Sequence, residues 1–221
     1  MMMNLFSSFD PITFSSSFSF NWLSMMLGLI ILPQMYWTIS NRSLIFWKLI
    51  SKLIFNELKV LVNNKSSLLM FFSLFLFIMF NNFLGLFPYI FTSTSHLSVT
   101  LTLALPLWMS FMLFGWINKT NHMFTHLVPQ NTPSILMPFM VLIETISNII
   151  RAITLSVRLS ANMIAGHLLM TLLSGLSNYL DYSLIILIMI QMLLITLESA
   201  VSIIQGYVFM ILSTLYSSEV N

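Results

Sequence analysis

Two segments of this chain are far too long and apolar for an ordinary soluble helix, and nothing in them signals a turn. From about Ile135 to Leu173 no glycine or proline falls between Phe139 and Ala165. From about Ser183 to Tyr216 there is one glycine, Gly206, and no proline. As continuous helices at 1.5 Å per residue they would be roughly 50–58 Å long. That is nearly twice the ~30 Å hydrocarbon thickness of a bilayer. The segments must therefore break or lie steeply tilted, and the lack of breakers predicts two long tilted helices forming a hairpin, with the turn in "SGLSNYLDYS" near Asp181.

The rest of the chain agrees with a membrane setting. Only 6% of its 221 residues are charged, against about a quarter in soluble domains. The eight Lys and Arg are too scattered for a phosphate footprint, which argues against nucleic acid. The absence of cysteine excludes disulfides and thiolate metal sites. The opening "MMMNLFSSFDPITFSS" has no Lys or Arg and does not read as a targeting sequence.

An all-α integral membrane fold follows, expected as a single membrane domain over 1–221 with five crossing helices and one in-plane amphipathic helix. The first span is expected at 20–37, the second at 68–91 and the third at 96–118, where Pro106 is tolerated as a kink. The long hairpin occupies 135–173 and 183–216. Between the first two spans, "NRSLIFWKLISKLIFNELKVLVNNK" places Lys48, Lys52, Asn56 and Lys59 on one helix face. That pattern suits a helix at 44–62 lying in the membrane interface. "TNHMFTHLVPQNTPSILMP" reads as a loop and helix start. His96, His122 and His126 are expected in loops, and the i, i+4 pair His122 and His126 lacks a third ligand for a metal. Five of the eight basic residues lie between the first and second spans, and Lys119 follows the third. The positive-inside rule puts these loops on the insertion side, with the N-terminus and the turn near Asp181 outside and the C-terminus inside.

"NIIRAITLSVRLSANMIAGH" carries the polar residues that a membrane chain must justify, because a cation in hydrocarbon costs a few kcal/mol at the least. Glu144, Arg151 and Arg158 are spaced by seven, and seven helical residues return to within about 20° of one direction. Ser147, Asn148, Asn162 and Ala165 fall near the same stripe. In the last segment Gln191, Glu198 and Gln205 share the spacing. Ser199, Ser202 and Gly206 form a small-residue patch where another helix could approach closely. A turn at Asp181–Tyr182 sets Arg158 beside Gln205 and His167 beside Glu198. Glutamine cannot neutralise arginine, so Arg158 lacks an anionic partner in this chain, and a carboxylate on another subunit would supply it. Arg151 is open to a plainer reading as a structural cation paired with Glu144. His167 and Glu198 are open to one as a satisfied buried pair.

At these residues the chain resembles the subunit a family of the rotary ATP synthase membrane sector, in its mitochondrially encoded form. "SVRLSANMIAGHLL" resembles the hallmark R-L-x-x-N-x-x-A-G-[HE], and "IETIS" the upstream acidic motif. "NNFLGLFP", "HLVPQNTP" and "IIQGYVFMILSTLY" resemble further landmarks in the same order, so the likeness spans essentially the whole chain. The resemblance implies two tilted helices embracing a ring of c subunits, each with one carboxylate, and makes Arg158 the essential arginine facing it. It implies an outer half-channel at His167 and Glu198, a pair that bacterial relatives carry in swapped order, and an inner one at Glu144. Asn162 and Gln205 would support them. It also implies the mitochondrial inner membrane, other membrane and stalk subunits as partners, no cofactor and no catalysis by this chain alone. Two alternatives have other signatures: a haem- or quinone-binding respiratory subunit would need facing histidines within spans, and a secondary transporter would need matching broken helices.

Overall fold

The computed structural model describes residues 5–12, 18–31, 39, 41–62, 65–128, 133, 136–176 and 184–220. Among them helix is the only regular secondary structure. The chain runs α1 (Ser24–Ile31), α2 (Arg42–Leu61), α3 (Lys65–Gly85), α4 (Leu97–Asn118), α5 (Thr120–Leu127), α6 (Met137–Leu176) and α7 (Leu184–Val220). Short 3-10 turns at Leu5–Phe9, Phe20–Leu23 and Ser93–Ser95 punctuate it.

Among the described residues, four helices are long and apolar enough to cross a membrane: Ser67–Gly85, Leu97–Asn118, Met137–Gly175 and Ile185–Glu219. Both long segments are continuous, over 40 residues in α6 and 37 in α7. α2 has the length to cross but is not among the four. Its Lys48, Lys52, Asn56 and Lys59 are exposed, while Trp47, Ile54 and Leu58 turn inward. The fifth crossing expected at 20–37 is described only to Ile31, as a shorter apolar helix. The turn expected near Asp181 lies outside the described residues.

Two expectations need adjusting. α3 stops at Gly85, short of residue 91. Pro88 has no N–H to continue a helix, and Tyr89 takes a φ of 71° that a helix excludes. The stretch after Lys119, expected as a loop, forms α5 and carries His122 and His126 on helical backbone. So short a helix needs tertiary support, and Trp116 of α4 packs edge-on against Phe124 at 5.2 Å between centroids.

α3 packs on α1, α2 and α7 and against the Ser93–Ser95 turn. Phe71, Phe75 and Leu68 of α3 close on Leu58 of α2 and Met210 of α7. Ile78 of α3 meets Ala104 of α4, Leu155 and Leu159 of α6 and Phe209 of α7. Apolar transfer cannot drive association when lipid is as apolar as leucine, so close packing must. Small residues supply it. A Cβ on Gly206 would sit 3.4 Å from the Met79 backbone, so α3 is the helix that approaches the small-residue patch of α7. Ser202 there is buried. Buried hydroxyls are satisfied within their own helix: Ser156 donates to the Ile153 carbonyl at 2.8 Å and Ser202 to that of Ser199 at 2.7 Å. The outward faces of α6 and α7 stay apolar and open, with Ile149, Ile153, Val157, Ile195 and Ile203 exposed.

Candidate functional site: two polar clusters and an unpaired arginine

Residues Glu144 to His167 all ride on α6, so one straight element carries both clusters and the arginine between them. Their separations follow from helix geometry. Glu144 lies about 21 Å along the axis from Arg158, and His167 about 14 Å on the other side.

At one end Arg151 is held by two carboxylates. Its Nη2 lies 4.0 Å from Glu144 Oε1, and its Nη1 lies 3.6 Å from Glu219 Oε2. The guanidinium also stands over the Tyr216 ring, 5.9 Å from its centroid. The pairing with Glu144 is thus present, and Glu219 joins it from the end of α7. Sequence reasoning missed Glu219, although a signal existed. Glu144 and Glu219 are equidistant from the same point near residues 181–182 that pairs Arg158 with Gln205.

Arg158 is different. It is exposed, and among the described residues no carboxylate lies within ion-pair distance of it. No hydrogen bond joins it to Gln205, which is half-buried on α7. Asn162, one turn further along α6, is half-buried as well.

At the other end Glu198 comes into van der Waals range of α6 at Gly166. A Cβ at that position would collide with both carboxylate oxygens, so only glycine fits while Glu198 lies there. This sets Glu198 next to His167 along the chain, in the register that the hairpin arithmetic implies. The two are not ion-paired. Glu198 is 7% exposed, yet its Oε1 has no hydrogen-bond partner. The buried Nε2 of His167 has none either. A pair that satisfied its own polar groups would leave neither atom free.

Further buried polar groups on other elements went unrecognised as site candidates. Asn81 and Asn82, at the end of α3, are buried, and both polar atoms of the fully buried Asn82 lack partners. Thr92, Ser93, Thr94 and Ser95 are buried beside them, with Thr94 Oγ1 also unpaired. A Cβ on Gly85 would touch Thr92 at 2.8 Å and Met163 of α6 at 3.2 Å, so this polar shelf abuts the middle of α6. Unpaired buried polar atoms cost about 1–3 kcal/mol each and are rare in native interiors. Several such atoms gather around the end of α3 and the Ser93–Ser95 turn. The dipeptide Asn81–Asn82 inside an apolar run was the available clue. Among the described residues no three His, Asp or Glu side chains converge as metal ligands.

The ATP synthase A chain family model matches residues 18–218, nearly the whole chain. The chain belongs to the ATP synthase A chain family. Full-length relatives within it are close. ATP synthase subunit a of Aedes aegypti is 63% identical over 228 residues, with 100% of both chains covered. That of Anopheles gambiae is 62% identical over 228 residues, and that of Drosophila melanogaster 60% over 225, again with 100% of both chains covered.

Proposed function

We propose that the chain is the proton-translocating stator subunit of a mitochondrial ATP synthase, acting as one membrane domain in the inner membrane. Membership in the family supports a subunit of the ATP synthase membrane sector, serving ATP synthesis and proton transport. In this reading a proton enters on the His167–Glu198 side and passes to a carboxylate on a ring of c subunits. The neutralised carboxylate can then face lipid. After nearly a full turn of the ring the proton leaves on the Glu144 side. Arg158 stands between the two paths, where its charge attracts the ionised carboxylate and repels a proton crossing directly. Asn162 and Gln205 keep its surroundings polar. ATP itself is made elsewhere in the complex.

The observation that carries this reading is the exposed Arg158, unpaired among the described residues on a helix long and apolar enough to cross a membrane. A cation held there calls for a counter-charge from another chain. Two supports are independent of it. The orphan atoms at Glu198, His167 and Asn82 suit a hydrated outer path. The unbroken α6 and α7 lack the interrupted helices of secondary transporters. The test is ATP synthesis driven by a proton gradient in the assembled complex carrying Arg158→Ala. Synthesis near the parent rate would overturn the proposal.

A further inference from the structure

The N-terminal turn Leu5–Phe9 is far from α6 in sequence but lies against it. Phe9 meets the His167 imidazole edge to face, with centroids 6.1 Å apart and planes at 87°. The same residue is tied from behind, because its carbonyl oxygen lies 2.9 Å from His96 Nε2. A carbonyl can only accept, so this bond requires that His96 Nε2 carry a proton. The His96 ring is itself wedged between Trp22 at 5.1 Å and Phe91 at 5.4 Å. Two more bonds close the frame: Ser24 Oγ donates to the Phe91 carbonyl at 3.0 Å, and Asn21 Nδ2 donates to the Asp10 carbonyl at 3.3 Å. A histidine at the start of α4 thereby reaches His167 of α6 through one backbone carbonyl and one aromatic ring.

We infer that His96 is a positioning residue for His167: its bond to the Phe9 carbonyl holds the N-terminal turn so that the Phe9 ring braces the His167 imidazole. The brace restricts rotation of that imidazole about its side-chain bonds. It also covers the imidazole on the side that Phe9 occupies. His167 Nε2 is buried and unpaired, and the neighbouring Gly166 touches the Glu198 carboxylate. A braced ring keeps that nitrogen in one position, and an unbraced one would turn more freely. The turn thus belongs to the outer proton path, and removing it should loosen the path without removing either ionisable group.

This inference rests on the reading of His167 as a proton carrier, so the experiment separates the two. Intact ATP synthase in proteoliposomes is treated with diethylpyrocarbonate, and acylation at His167 is read by mass spectrometry. Proton-driven ATP synthesis is measured on the same preparations. The variants are His96→Ala, His96→Gln and Phe9→Ala, with His167→Ala as reference. Glutamine retains an N–H that can reach the Phe9 carbonyl. His96→Ala and Phe9→Ala should each raise His167 acylation several-fold and lower synthesis several-fold, whereas His96→Gln should stay near the parent in both. The double variant should be no worse than either alanine variant, because both act through one contact. Unchanged acylation in His96→Ala, or a His96→Gln variant as defective as His96→Ala, would overturn the inference. Should His96→Ala fail to assemble, Phe9→Ala and His96→Gln decide it alone: the first must expose His167 and the second must not. Normal synthesis by His167→Ala would instead overturn the proposed function and leave the acylation result standing.

Discussion

Arg151 and Arg158 sit seven residues apart on one face of one helix, and their surroundings are opposite. Arg151 has Glu144 at 4.0 Å, Glu219 at 3.6 Å and the Tyr216 ring beneath it. Arg158 is exposed with no ion pair among the described residues. The same side chain at the same helical phase thus serves two ends. The first is neutralised inside the chain and ties α6 to the end of α7. The second has no carboxylate within ion-pair distance among the described residues. What distinguishes them is where α7 presents a carboxylate: Glu219 comes within 3.6 Å of Arg151, and no carboxylate among the described residues comes so near Arg158.

The comparison breaks most sharply at Arg158. Arg158→Ala should abolish proton-driven ATP synthesis in the assembled complex. Arg158→Lys should rescue poorly, since a compact ammonium lacks the planar fork of guanidinium and loses its proton more readily when desolvated. Full rescue by lysine would mean that charge alone matters.

Gly166→Leu should come next. Its side chain must occupy the place of the Glu198 carboxylate, so the outer cluster has to separate. Synthesis should fall nearly as far as for Glu198→Ala, while passive proton leak, measured by a pH-sensitive dye in vesicles, stays low because Arg158 is intact. A leak matching that of Arg158→Ala would show that the arginine is not the barrier.

Arg151→Gln should be milder. Arg151 and Glu219 are 40% and 55% exposed, so screening leaves each pair at about 0–1 kcal/mol. Synthesis should drop by less than about tenfold, and a charge swap, Arg151→Glu with Glu219→Arg, should recover part of the loss. A null phenotype for Arg151→Gln in a fully assembled complex would put it in the same class as Arg158.

The smallest effect concerns α2. Lys48→Cys, Lys52→Cys and Lys59→Cys, each made singly in this cysteine-free chain, should leave synthesis unchanged. All three should react with an impermeant thiol reagent from one side only. Protection of position 52 alone would mean that α2 crosses the bilayer.

Much of this was legible before any coordinates. The heptad spacing of Glu144, Arg151 and Arg158 requires only that the segment be helical, and the missing breakers made it so. Glu198 beside His167 came from counting outward from an expected turn, and in the structure Glu198 contacts Gly166, the residue before His167. The α2 face of Lys48, Lys52, Asn56 and Lys59 was equally plain. Harder to see were the short elements. α5 has too few residues to announce itself against Pro- and Asn-rich neighbours, and it holds by packing of Phe124 on Trp116. The end of α3 at Gly85, a few residues before Pro88, shows only in the backbone, where Tyr89 takes a φ of 71°.

The sequence by itself determined the membrane setting, the two uninterrupted helices and the stripes upon them, because hydropathy and a 100° step per residue are local properties. Only the tertiary structure decided which groups meet across the chain. Glu219 closes on Arg151, the Asn81–Asn82 and Thr92–Ser95 shelf lies against the middle of α6, and Phe9 links His96 to His167. Such contacts join residues tens to more than a hundred positions apart, and no period within a segment encodes them. They exist because small residues at helix crossings let backbones approach, and that approach brings distant polar side chains together.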